Sequence, residues 1–174
     1  VRPATLLVGS FLLLIAIGTA LLLTPKAHVG SWSFVDALFT STSASCVTGL
    51  TVRDTGTELT FRGQAVVLGL IQCGGLGIVT IALFFTYLGR QSFGLHQMTV
   101  LQELVSAKSL GALGRYLAYI LGITFAAELV GATLLYHARP DLPLVERVWW
   151  AIFHSISAFC NAGIGLSAAN LVPW

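Results

Sequence analysis

The sequence predicts an all-α membrane protein made of two tandem units, each a helix, a re-entrant loop and a helix, with the second unit lacking its closing helix. Three observations predict this. Hydrophobic residues make up 56% of the 174 and charged residues 9%, with a mean hydropathy of +0.86, a balance expected of a chain dissolved in lipid. The few charges bracket long uncharged stretches. A segment that starts apolar and turns into Ser, Thr, Cys, Asn and Gly also occurs twice, at a fixed spacing.

The first apolar run, Ala4 to Thr24, is too long and too poor in small residues near a cleavage site for a signal peptide, and it predicts a span. Ser33 to Leu50 follows, with a helix over about Ser33 to Ser45. A helix of about 12 residues reaches about 18 Å, short of the roughly 30 Å of hydrocarbon. The segment must therefore enter and return on one side, and its non-helical end must be buried in protein or line water. Gly63 to Gly89, between Arg62 and Arg90, predicts a second span. Gln91 to Leu113 mixes Gln, His, Glu and Lys with Leu and Val, as an interfacial amphipathic helix does. Tyr116 to Ala138, between Arg115 and Arg139, predicts a third span with one acid, Glu128, inside it. Val148 to Leu166 is the second re-entrant segment, its short helix running from about Glu146 to Phe159. The units are then residues 1–90 and 114–174, joined by a linker at 91–113.

Placing Val35–Gly49 over Trp149–Gly163 at an offset of 114 makes Ala, Phe, Ser, Ser, Ala, Cys and Gly coincide, seven of fifteen positions. Gly18, Leu21 and Leu22 fall over Gly131, Leu134 and Leu135 at an offset of 113. The repeat is one supersecondary unit in the same chain order. Two crossings plus a returning loop keep both copies in one orientation. The second unit stops at Trp174 before its closing helix, so the expectation is that the sequence is an N-terminal portion of something longer.

Each short helix points its C-terminal end, with its partial negative charge, into the membrane, which favours a cation there. The residues that follow can offer backbone carbonyls in place of hydration water. Gly49 and Gly163 allow backbone conformations that other residues resist. The neighbouring hydroxyls hold the turns from behind. The plainer reading is that Ser, Thr and Gly only pack helices closely; one copy would leave that reading ahead, and two matched copies reverse the order.

The residues FTSTSASCVTGLTVRD (Phe39 to Asp54), QCGGLGI (Gln72 to Ile78) and FHSISAFCNAGIGL (Phe153 to Leu166) resemble the Trk/Ktr/HKT superfamily of potassium transporters, in its membrane subunit. The likeness runs over essentially the whole chain. It implies a potassium-channel-like architecture, with four helix, pore loop, helix units around one pathway, loops outside and termini in the cytosol. It further implies potassium uptake across the plasma membrane through a selectivity filter, whose first quarter would be Cys46, Val47, Thr48 and Gly49 and whose second would be Cys160, Asn161, Ala162 and Gly163. Glycine at the position of Gly49 goes with potassium in that family and serine with sodium in some plant members, so potassium is the expected ion, with sodium as a second candidate. The resemblance also implies a homodimer, a cytosolic nucleotide-binding regulatory subunit facing 91–113, and a gate in a later unit, beyond Trp174.

Other features carry less. Glu128 is costly within a span and is a functional candidate by default, but a structural hydrogen bond to a neighbouring loop or helix is the favoured reading. Gly74-Gly75-Leu76-Gly77 lies mid-span, so it is a helix-packing motif and no dinucleotide fingerprint. His154 stands where the first copy has Thr40 and is expected to pack behind the second loop. His28, His96 and His137 lack partners at ligand spacing, so no transition-metal site is expected, and no cofactor is expected beyond potassium as the transported ion. The three cysteines form no disulfide framework. The net charge of +2, without a basic block, excludes nucleic acid as a partner. Arg2, Arg90, Lys108 and Arg115 on one side against Lys26, Arg53, Arg62, Arg139 and Arg147 on the other show no positive-inside bias, so orientation rests on the resemblance.

The expected activity is therefore passage of an ion, without bond chemistry. Its rival is an ion-coupled secondary carrier with broken helices at the midplane, and a membrane scaffold without transport is a third option. Carriers of that kind often show inverted repeats, whereas these two copies require equal orientation.

Overall fold

The computed structural model describes residues 3–77 and 110–167. Among them it is helical, with no strand and one isolated bridge between His28 and Leu59. The helices are α1 (Pro3–Leu22), α2 (Phe34–Ser45), α3 (Phe61–Gly75), α4 (Leu110–Ala138) and α5 (Leu144–Phe159).

Helix α1 corresponds to the expected first span and ends two residues earlier than Thr24. Helix α2 starts on a capping box, in which the Ser33 hydroxyl accepts from the Asp36 backbone N–H and the Asp36 carboxylate accepts from the Ser33 N–H, each at 3.1 Å. Thr60 caps α3 through the Gly63 N–H. The helix stops at Gly75, where the Leu76 N–H still reaches Gln72 O and Gly77 turns to a φ of 74°. The remainder of the expected span to Gly89, and most of the linker at 91–113, lie outside the described residues. Helix α4 begins at Leu110, inside the stretch the sequence assigned to the linker. A charge such as Arg115 marks where hydrocarbon ends, whereas the helix carries on through Leu and Ala into the interface.

Among the described residues, one helical stretch, Ala118–Ala138, is long and apolar enough to cross a membrane, and Val8–Leu22 is a shorter apolar one. Their large side chains face outwards: Leu12, Leu13, Ile123, Leu129 and Leu134 are all more than half exposed. Such continuous apolar surface needs an apolar surrounding.

Helix α1 packs on α2 and α3, α4 packs on α5, and α3 packs on α5 as well, so α3 is the element that joins the two copies. Its Val67 and Ile71 share one buried cluster with Leu22 from the first copy and Phe153, Ala162 and Ile164 from the second. The join also has polar pins. Trp149 Nε1 donates to Gln64 Oε1 at 2.7 Å, while Gln64 Nε2 donates to the carbonyls of Thr55, Gly56 and Leu59, each at 3.3 Å.

The two copies repeat one clasp between outer and short helix. Ser41 Oγ donates to Ile15 O at 2.9 Å, and Ser155 Oγ donates to Glu128 O at 2.6 Å. Ser41 and Ser155 are related by the offset of 114, and Ile15 and Glu128 by that of 113. Gly18 and Gly131 leave the room for these hydroxyls, since a Cβ at either would run into the serine oxygen.

Candidate functional site

Helices α2 and α5 end in the same way. Cys46 is the C-cap of α2; the Val47 N–H donates to Ala44 O and the Thr48 N–H to Ser43 O, at 3.3 and 3.0 Å. Cys160 is the C-cap of α5; the Asn161 N–H donates to Ala158 O and the Ala162 N–H to Ser157 O, at 3.0 and 2.8 Å. Both are Schellman closures, in which the residue after the cap adopts a left-handed conformation. That residue is usually glycine, yet here it is Val47 at φ 56° and Asn161 at φ 58°. Asparagine tolerates the conformation, whereas a β-branched valine is strained in it. Two residues on, Gly49 and Gly163 are left-handed again, at φ 76° and 68°.

Serines behind the turns fix their shape. Ser43 Oγ accepts from Thr48 Oγ1 at 3.0 Å, and Ser157, its counterpart in the second copy, donates to Ile164 O at 2.6 Å. His154 adds a further hold on the second turn. Its Nδ1 lies 2.8 Å from Trp150 O, and its Nε2 accepts from the Leu166 N–H at 3.3 Å. Those two bonds assign the proton to Nδ1 and put His154 behind the second loop, as expected of it.

The turns lie against one another. A Cβ added to Gly49 would stand 2.6 Å from Ala162 O and 3.6 Å from Gly163 Cα. Of the eight residues proposed from sequence, Cys46, Thr48, Asn161 and Gly163 are exposed, Val47, Gly49 and Cys160 partly so, and Ala162 is buried. Helix α3 supports both turns with adjacent glycines. A Cβ at Gly74 would strike Ser45 O and crowd Val47 Cγ2 at 3.1 Å, while one at Gly75 would strike Cys160 Sγ. The glycine motif thus seats one helix on two loops at once.

Glu128 is buried in α4, where its Oε1 accepts from Gln72 Nε2 at 2.7 Å. Gln72 Oε1 in turn lies 3.9 Å from Cys160 Sγ, a long thiol contact. Sequence reasoning placed Gln72 only in the stretch Gln72 to Ile78 that carries the family resemblance and gave it no role of its own. The available signal was a carboxamide in the middle of a span, which in lipid needs a polar partner on another helix. Among the described residues, no group of three or more His, Cys, Asp or Glu side chains comes together to hold a metal.

These features define a membrane protein, helical among the described residues, with a pair of matched, glycine-bearing turns at the ends of short helices. The TrkH family of cation transport proteins matches residues 3–174, and the chain belongs to that family. It is 37% identical to the Ktr system potassium uptake protein B of Bacillus subtilis over 99% of this chain and 39% of that protein. It is 34% identical to the potassium/sodium uptake protein NtpJ of Enterococcus hirae, over 98% of this chain and 38% of that protein. With the Ktr system potassium uptake protein B of Vibrio alginolyticus the identity is 35%, over 95% and 36%. The chain thus spans about two fifths of the length of the curated relatives it matches.

Proposed function

We propose that the protein mediates potassium uptake across the plasma membrane through a pore whose selectivity filter includes residues 46–49 and 160–163. The observation that carries this reading is the repeated left-handed pair, Val47 with Gly49 and Asn161 with Gly163. In an ordinary strand successive residues face opposite ways. A left-handed φ at every second residue turns successive carbonyls towards one side, which is what replacing a hydration shell requires. The ends of α2 and α5 add the partial negative charge of their helix C-termini at the same level. Relatives named for potassium uptake support the choice of ion, and the relative named for potassium and sodium makes sodium the competitor to test.

In this reading residues 1–90 are a helix, pore loop, helix unit and residues 114–174 are the helix and pore loop of a second one, with both loops facing outside. The segment 91–113 faces the cytosol and a nucleotide-binding regulatory subunit, and the transporter works as a homodimer. Those last features rest on the family resemblance.

The test is rubidium uptake with sodium competing, into liposomes carrying the whole protein, for the parent and Gly49→Ser. Uptake that resists sodium in the parent and loses that preference in the variant supports the filter. An unchanged preference in a well-folded variant removes residues 46–49 from the filter.

A further inference from the structure

We propose that Gln72 is a positioning residue for the second turn of the ion pathway, held in its working orientation by Glu128; the inference rests on the filter reading above. Gln72 and Gly75 are three residues apart on α3 and therefore share a face. Both meet Cys160, the first residue of the second turn: Gly75 by an approach that leaves no room for a Cβ, Gln72 through its Oε1 at 3.9 Å from Sγ. A primary amide can be turned end for end with little steric change, so its orientation is decided by its partners. Glu128 decides it here. Its Oε1 takes the Gln72 Nε2 donor at 2.7 Å, which leaves the amide oxygen, and not the NH2 group, facing the thiol.

The main chain that carries this carboxyl is itself held, because the backbone carbonyl of Glu128 accepts from Ser155 Oγ at 2.6 Å, and Ser155 lies on α5, the helix that ends in Cys160. A closed circuit results, running from α5 to Glu128, to Gln72 and back to the end of α5. At the matching position of the first copy stands Ile15, which carries no polar group to orient a partner. The pathway is therefore supported differently behind its two quarters, and the second depends on an amide whose direction is set by an acid outside the filter.

The experiment measures rubidium uptake with and without competing sodium, using the whole protein in liposomes, for the parent, Gln72→Leu, Glu128→Gln, Cys160→Ala, Cys160→Ser and Gly163→Ser. A merely structural role would lower the amount of folded protein and leave the ion preference intact. The proposal expects Gln72→Leu to lower the preference for rubidium over sodium about tenfold, in the range of coupling between residues in contact. Glu128→Gln, which lets the amide turn over, lowers it in the same direction. Adding Gln72→Leu to Cys160→Ala lowers it no further, and Cys160→Ser, which keeps a donor, retains more of it than Cys160→Ala. Should Gln72→Leu fail to insert, Glu128→Gln and the pair of Cys160 variants decide. If Gly163→Ser shifts the preference while the Gln72 and Glu128 variants leave it at the parent value, the filter reading stands and this proposal is overturned. If Gly163→Ser also leaves it unchanged, the second turn is no filter and the proposal falls with it.

Discussion

Val47 and Asn161, separated by the repeat offset of 114, hold the same left-handed backbone at φ 56° and 58°, one with a side chain suited to that conformation and one without. The same closure is thus reached at different cost in the two copies. Val47→Gly should raise the thermal stability of the detergent-solubilised protein by about 1 kcal/mol, the order of the strain a β-branched residue carries there. Asn161→Gly should change it little, and Asn161→Val should lower it. Equal effects of the two glycine substitutions would show that Val47 is not strained.

Gly49 and Gly163 differ in a second way. An alanine at either must take up a left-handed φ, but at Gly49 its Cβ would also press on Ala162 O at 2.6 Å, whereas at Gly163 it would meet Gly49 Cα at an ordinary 3.8 Å. Gly49→Ala should therefore be the more damaging, by about 1 kcal/mol or more in unfolding free energy. Paired thermal melts of the two variants check this order.

The serine clasps offer a rescue. Among the described residues, a Cβ at Gly131 would meet only Ser155 within 4 Å, while one at Gly18 would meet Leu70 as well as Ser41. Gly131→Ala should destabilise, and adding Ser155→Ala should recover part of the loss by vacating the space, less about 1 kcal/mol for the buried hydrogen bond removed. Gly18→Ala should not be recovered by Ser41→Ala, because Leu70 still stands in the way. Folded yield and melting temperature of the two double variants distinguish the cases.

At the start of α2, Arg53 bonds to Asp36 at 3.0 Å and to Glu58 at 3.1 Å. The hydrogen bond from Arg53, then those from Ser33, hold the Asp36 carboxyl below its usual range. A carboxyl whose folded pKa is depressed stabilises the protein above its unfolded value and loses that contribution as pH falls through the folded one. Stability should thus decline at the acid end, below about pH 4, and Asp36→Asn should flatten the decline. A pH series of melts on parent and variant measures it.

The short helices, the outer helices and the serines behind the turns were legible because each is written locally and then written again at a fixed offset. The short helices were read from apolar stretches that give way to Ser, Thr, Cys, Asn and Gly, and α2 (Phe34–Ser45) and α5 (Leu144–Phe159) lie close to the expected bounds. What the sequence concealed is contact across the chain. Gly74 and Gly75 read as helix packing, but that they serve different loops depends on how α3 lies between the copies. Gln72 and Glu128 are 56 residues apart, and nothing in their spacing pairs them. Helix α4 begins at Leu110, ahead of the span read from Tyr116, because charge marks the edge of the lipid and not the edge of the helix.

The clasp from Ser41 to Ile15 and from Ser155 to Glu128 ends on a main-chain oxygen, so it is indifferent to the side chain that the same residue carries. A duplicated unit joined in this way keeps its architecture while the position beside the joint is free to change from a hydrocarbon to an acid. Such positions are where two copies of one ancestor can acquire separate tasks without either having to be rebuilt.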